Sequence, residues 1–288
     1  IAAVANCGGL LTPLGDPPLL LLYLRGASFT WFLNLLPMWA MTGALLLIIY
    51  FIWDSYMYKK EDWVNLSADS REQRPIQITG KINFVFLIGV ILSVAFINAD
   101  MLPAMAEEHA PWWLVYLREI VLVSMIAMSL LETKKEVREA NKYSWRPIIE
   151  VGVVFLGIFV TMTPTIMYLN QNAASLGLTE PWQFYYFAGG LSSFLDNAPT
   201  AVAFHSVAKA LPIAEGTTVI AGVSEPILAA IALGSVLFGA MTYIGNGPNF
   251  MVKAVAENDG VRMPSFFGYI ALALICLLPV YAAVEYFL

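Results

Sequence analysis

The sequence predicts an all-α, polytopic membrane protein with inverted repeats, a re-entrant hairpin and two broken transmembrane helices. Three observations carry this. First, the 288 residues are 59% hydrophobic and 12% charged, with a mean hydropathy of +0.71. A soluble domain carries about 25% charged residues, and the deficit runs along the whole chain. Second, residues 9–18 (Gly-Leu-Leu-Thr-Pro-Leu-Gly-Asp-Pro-Pro) and 239–248 (Gly-Ala-Met-Thr-Tyr-Ile-Gly-Asn-Gly-Pro) align without a gap at an offset of 230. Gly9/Gly239, Thr12/Thr242, Gly15/Gly245 and Pro18/Pro248 are identical, Leu14/Ile244 is conservative, and Asp16/Asn246 keeps a side-chain oxygen. Paired Gly/Pro-interrupted apolar segments, one per half, mark the binding region of secondary transporters. Third, residues 182–211 are apolar on both flanks and broken at 192–200, with arms too short to cross ~30 Å of hydrocarbon, so they fit a re-entrant hairpin.

The elements follow in order. Residues 1–11 read as a half helix, 12–16 as an extended break, and 17–23 as a second half that starts on Pro17 behind an Asp16 cap. A connector (24–36) leads to a span at 37–57. The first copy therefore ends within 1–57, and the polar, charged 58–80 is the linker to a second copy, 81–288. In that copy spans are expected at 81–97, 112–131, 147–169 and 266–288, with the hairpin at 182–211 and the broken helix at 223–257. Residues 132–146, rich in Lys, Arg and Glu, suit a helix on the membrane surface. The first residue falls inside an apolar run, and the repeat offset leads us to expect about 150 further residues upstream, including a first hairpin. Trp31, Trp53, Trp63, Trp112, Trp113, Trp145 and Trp182 fall near segment ends, as an interfacial aromatic belt does. Cys7 and Cys276 lie in apolar runs and read as buried free thiols.

Basic residues set the orientation. Lys59, Lys60, Arg71, Arg74 and Lys81 lie in the linker region, and Lys134, Lys135, Arg138, Lys142 and Arg146 in the 132–147 loop, whereas loops 98–111 and 172–181 have no Lys or Arg. Both basic segments are expected in the cytoplasm, with the C-terminus outside. The hairpin then enters from outside, and the two broken helices run in opposite directions, the topology suited to alternating access.

The chemistry is expected where these elements meet. At the hairpin tip Ser192, Ser193, Asn197 and Thr200 surround Asp196. A mid-membrane ionisable group costs about 2.5–3.5 kcal/mol on insertion scales and so faces a cavity or a partner. A carboxylate among hydroxyls, amides and freed carbonyls is a hard oxygen site for sodium or a proton. The structural alternative is that Ser193 or Asp196 caps the second arm, which does not exclude ion binding. Opposite the tip stand Thr242, Gly245, Asn246 and Asn249, whose unwound backbone offers carbonyls to a cation and whose next half helix offers a positive end to an anion; a packing kink is the alternative. Thr12, Gly15 and Asp16 hold the same places in the first copy, Asp16 also having the simple cap as an alternative. Asp196, Asn246 and Asp16 are the expected sodium ligands. Glu150 reads as an interfacial carboxylate, Thr161, Thr163 and Thr165 as cavity-lining or self-bonded hydroxyls, and His205 as a packing histidine rather than a pH sensor. Adjacent Arg118 and Glu119 suit the headgroup layer.

The tip Leu191-Ser192-Ser193-Phe194-Leu195-Asp196-Asn197-Ala198-Pro199-Thr200, together with Thr242-Tyr243-Ile244-Gly245-Asn246-Gly247-Pro248-Asn249 and Asn6-Cys7-Gly8-Gly9 leading into Thr12–Pro18, resembles the ion-transporter superfamily of secondary carriers. That group holds D-type sodium/proton antiporters, citrate and dicarboxylate carriers and arsenite permeases. The resemblance covers essentially the whole chain, as the C-terminal part of such a carrier. It implies two hairpins and two broken helices around paired sites, in a homodimer. The Ser-Ser-x-x-Asp-Asn-x-Pro tip is most similar to the antiporter branch, whereas dicarboxylate carriers show Ser-Asn-Thr at their tips.

The leading expectation is therefore a sodium/proton antiporter of a bacterial inner membrane. Asp196 and Asp16 would bind sodium or a proton in competition, because burial raises a carboxylate's pKa and a cation lowers it. The rival is sodium- or proton-coupled uptake of citrate or a dicarboxylate; Lys209 and Lys253 lie too far along their helices to hold such an anion at the tips. A channel-like protein without coupling is a third possibility. No nucleotide-binding loop, metal-ligand cluster or nucleophile constellation points to an enzyme, and nothing points to nucleic acid or to a cofactor beyond the transported ions.

Overall fold

The computed structural model describes residues 1–61, 78–99, 101–141 and 143–288, so most of the expected linker lies outside the described residues. Among the described residues the chain is mostly helical, with one short strand pair. In order its helices are α1 (Pro17–Leu24), α2 (Leu36–Tyr58), α3 (Ile82–Phe96), α4 (Trp112–Val115), α5 (Leu117–Glu132), α6 (Lys135–Ala140), α7 (Arg146–Asn172), α8 (Pro181–Ser192), α9 (Asn197–Lys209), α10 (Glu225–Phe238), α11 (Gly247–Asn258), α12 (Phe266–Cys276) and α13 (Leu278–Glu285). Between α9 and α10 a two-residue pair, β1 (Val219–Ile220) and β2 (Val223–Ser224), turns on Ala221 and Gly222, both at positive φ, which is the backbone a tight hairpin takes. Contacts group residues 1–59 with 156–288 in one compact unit and residues 60–155 in another. Compactness thus divides the chain differently from the sequence repeat.

The larger unit is built around α10. Its residues from Ile227 to Phe238 are all buried, as befits a helix apolar on every side. Small residues let its neighbour approach: a Cβ on Gly234 would run into the Tyr185 carbonyl of α8, and one on Gly189 would meet the Phe238 ring at 2.6 Å. Tyr185, deep in this contact, donates from its hydroxyl to the carbonyl of Tyr281 on α13 (3.0 Å). On α2, by contrast, Thr42 and Leu46 are the buried residues, while Leu47, Ile48, Phe51, Ile52 and Trp53 lie open. An apolar surface of that extent is tolerable where the surrounding solvent is lipid.

In the smaller unit α3 packs on α5. Oδ1 of Asn83 accepts from the Ser129 (2.7 Å) and Thr133 (2.9 Å) hydroxyls. Arg138 reaches back to the carbonyls of Ser129, Leu130 and Thr133, satisfying acceptors left over at the α5 C-terminus.

Several elements differ from expectation. Residues 1–11 are a wide π turn (Ala2–Asn6) running into a 3-10 turn (Cys7–Gly9), not a regular half helix, where the Gly8-Gly9 pair weakens the helical preference. The break at the hairpin tip is shorter than 192–200: helix resumes at Asn197, because Asp196 caps it and Pro199 is tolerated in a first turn. The stretch 112–131 is interrupted at Tyr116, and the surface helix shrinks to Lys135–Ala140. The last span is two helices bent by 42° ahead of Pro279, which cannot donate within the helix. Among the described residues, Thr30–Tyr58 is long and apolar enough to cross a bilayer, and the bent pair gives a second such span if counted as one. Ile82–Phe96 is apolar but only 15 residues long, where a straight crossing takes about 20. Cys7 is buried, Cys276 is half-buried, and both are free thiols.

Candidate ion and substrate site

Two backbone crossings set where every other group lies. A Cβ on Gly9 would meet the Gly15 carbonyl oxygen at 2.6 Å, and one on Gly15 would strike the Gly9 carbonyl. The second copy repeats this. A Cβ on Gly245 would meet the Gly239 oxygen at 2.6 Å, and also the hairpin oxygens of Ser192 (2.7 Å) and Ser193 (2.9 Å). The shared glycines are thus explained by contact of bare backbone with bare backbone. The crossing leaves the next residue extended, Asp16 at φ −151°, ψ 142° and Asn246 at φ −151°, ψ 137°, and each starts a helix with proline in its first turn.

Neither side chain caps its own helix. They turn to one another and to the hairpin instead. The Asn246 amide donates to Oδ1 of Asp16 (3.4 Å), and the Asn197 amide donates to Oδ2 (3.0 Å). Asp16 is buried and Asn197 wholly so. Three helices, α1, α9 and α11, therefore bring their N-terminal ends to one carboxylate, which suits negative charge. Among the described residues, Oδ1 of Asn197 is buried with no hydrogen-bond partner, an acceptor left open beside that carboxylate.

The hydroxyls expected here hold the hairpin against the broken helix. Ser192 donates to the Ser235 carbonyl (2.5 Å), and Ser193 to those of Gly189 (3.0 Å) and Phe238 (3.1 Å). Thr242 donates to the Ser193 carbonyl and accepts from the amides of Ile244 (3.2 Å) and Gly245 (3.0 Å). Thr200 bonds back to the Asp196 carbonyl (3.0 Å). Asn249 gives both amide hydrogens to carbonyls freed by the break, Gly239 (2.7 Å) and Thr242 (2.9 Å). Thr12 is half-buried and its carbonyl accepts from the Gly15 amide (3.0 Å).

Asp196 sits differently from expectation. It is exposed and caps α9, accepting from the Ala198 amide at 3.4 Å. The neighbouring Asn197 is the tip residue that reaches the cluster, because the tight tip turns adjacent side chains in different directions. Asn6, quoted above only within a motif, is fully buried and belongs to the cluster: it donates to Oδ1 of Asn249 (2.8 Å) and accepts from Asn246 (3.0 Å). No signal in one sequence distinguishes it from a buried helix-packing amide. His205 pairs with Arg25 (3.0 Å), and Thr161 bonds its own helix at Gly157 (2.7 Å). Thr165 lines an apolar cavity of about 460 Å³ with Met162, Leu191, Leu195 and Thr200, apart from the polar cluster. The Glu150 side chain lies outside the described residues.

A family model described as "Putative citrate transport" matches residues 1–288. The chain belongs to this citrate-transport family. Membership makes it an integral membrane transport protein rather than a member of an enzyme class, in line with the resemblance carried by the tip and broken-helix motifs. No curated protein and no solved structure matches this member of the citrate-transport family.

Proposed function

We propose that the protein is a cation-coupled carrier of citrate-like carboxylates, with Asp16 as the coupling residue in place of Asp196. The observation that supports this is the buried Asp16 carboxylate, bonded from both Asn246 and Asn197, with the unpartnered Asn197 oxygen beside it. Asp16 and that oxygen offer a hard ligand pair to sodium or a proton. The three helix ends offer positive potential to a substrate carboxylate arriving with the cation. The order of events is then cation first, anion second, with the site presented to each side in turn. The family's description favours carboxylate over a cation alone as cargo.

In this reading the hairpin is re-entrant, the halves are inverted and the protein is a homodimer in a bacterial inner membrane. Linker 58–80 and loop 132–147 face the cytoplasm and the C-terminus lies outside. Reconstituted full-length protein should take up labelled citrate under a sodium or proton gradient, and Asp16→Asn should abolish the coupling. Uptake in that variant that still follows the gradient would overturn the assignment. The second reading, sodium/proton exchange at the same carboxylate, is favoured by the neutral amides that are its hydrogen-bond partners, which leave no fixed positive side chain to hold an organic anion. Sodium-driven pH change in vesicles without citrate distinguishes it.

A further inference from the structure

The amide groups of this cluster have a fixed polarity. Asn249 faces two backbone carbonyls, Gly239 and Thr242, which only accept, so its –NH2 must point there and its oxygen must point at Asn6. Asn6 must then present its own –NH2 to Asn249, and the same group also meets the Ile1 carbonyl at 3.3 Å. That leaves the Asn6 oxygen facing Asn246. The Asn246 –NH2 is consequently directed at three acceptors, the Ala5 carbonyl (3.4 Å), Oδ1 of Asn6 (3.0 Å) and Oδ1 of Asp16 (3.4 Å). Turning this amide over would set its oxygen against three others. Asn197, on the opposite oxygen of Asp16, is held less firmly: its own oxygen has no partner, and its –NH2 is fixed by the one bond to Oδ2.

We propose that Asn6 is a positioning residue that locks the Asn246 amide onto Oδ1 of Asp16, leaving Oδ2, on the Asn197 side, as the oxygen that takes and releases the cation. This rests on the carrier reading above and adds to it which face of the carboxylate works. Once Asn197 turns, its oxygen and Oδ2 together face a cation, while the Oδ1 side does not change. Asn6 touches neither the carboxylate nor the ion, and acts only through Asn246.

The test uses full-length protein in proteoliposomes, with sodium chloride titrated in a choline background and citrate uptake as readout. Asn6→Leu should raise the half-saturating sodium concentration roughly tenfold, since an amide donor to a charged group has lost its anchor. The maximal rate should stay within about twofold, because the exchanging oxygen is untouched. Asn249→Leu removes the start of the same chain and should give the same shift, and the double variant should be no worse than the poorer single one. Asn6→Ser, whose hydroxyl both donates and accepts, should lie closer to the unaltered protein and covers the case in which leucine prevents folding. An Asn6→Leu carrier with unaltered half-saturation, or shifts that simply add, overturns the inference. Unaltered protein that moves neither citrate nor cations sinks the carrier reading and this inference with it, a distinct failure from a working protein whose Asn6→Leu variant is indistinguishable from it.

Discussion

Asp16 and Asn246 hydrogen-bond to each other across 230 residues of chain, the same interval that separates the two copies of the repeated motif. Corresponding positions of the two copies thus meet face to face, in nearly the same backbone conformation. One bears a carboxylate and the other an amide. Two carboxylates at that separation would repel, whereas acid and amide attract, so this pair can stay buried with a single charge.

The first prediction separates the two acidic residues. Asp16→Asn should lower coupled uptake by about tenfold or more, the scale of a lost charged hydrogen bond in a buried site. Asp196→Asn should cost about threefold or less, because asparagine is as good a cap for α9. Proteoliposome uptake of the two variants side by side checks this, and the opposite ranking would return the central role to Asp196.

The crossing glycines give a stability prediction. Gly245→Ala places a methyl within 2.6–2.9 Å of three carbonyl oxygens, two from the hairpin. Overpacking of this kind costs about 1–3 kcal/mol, or roughly 2–12 °C of melting temperature at this chain length. Gly247→Ala, two residues on, has open space and should melt with the unaltered protein. Thermal unfolding in detergent compares the two.

Thr242 should tolerate serine but not valine. Its hydroxyl joins the Ser193 carbonyl to two amides of the break, so valine strands three polar groups, two of them buried at a cost of about 1–3 kcal/mol each at most. Melting of Thr242→Val well below Thr242→Ser would bear this out, and equal melting would assign the residue another role.

His205 is a neutral ring by the nature of its neighbours. Arg25 can only donate to Nδ1 (3.0 Å), and the Ala221 carbonyl can only accept from Nε2 (3.2 Å). The same guanidinium holds Ser206 (2.8 Å), tying the end of α1 to the second hairpin arm. His205→Leu should destabilise by about 1–3 kcal/mol, and Arg25→Leu combined with it should cost less than the sum, as groups in one network do. Additive losses in a double-mutant cycle would deny the coupling.

Composition and the repeated motif were enough to read an all-α membrane carrier and to place the two breaks near Gly15 and Gly245, because both depend on local features: an apolar run and glycine beside proline. The candidate site was legible as a neighbourhood. Asn246, Asn197 and Asp16 were named from sequence and do meet. What sequence could not give is direction. Asp196 and Asn197 are adjacent in the chain, yet one caps a helix in the open and the other reaches a buried carboxylate, a difference set by the tip's backbone. Asn6 and the Arg25–His205 pair depend on contacts between residues 177–243 positions apart, which no local pattern encodes. The bend at Pro279 was legible in principle, since proline interrupts a helix wherever it falls inside one, but the uniformly apolar run around it read as one span.

The glycine crossings also carry a genetic consequence. A methyl lost in a side-chain core can be matched by a gain next door, since neighbours there come in many sizes. At Gly15 and Gly245 the obstructing atoms are carbonyls of the main chain, which no codon change can trim. Selection for regained transport from a lesion at either position should return true revertants or general stabilisers elsewhere, and no compensating change among the neighbouring side chains.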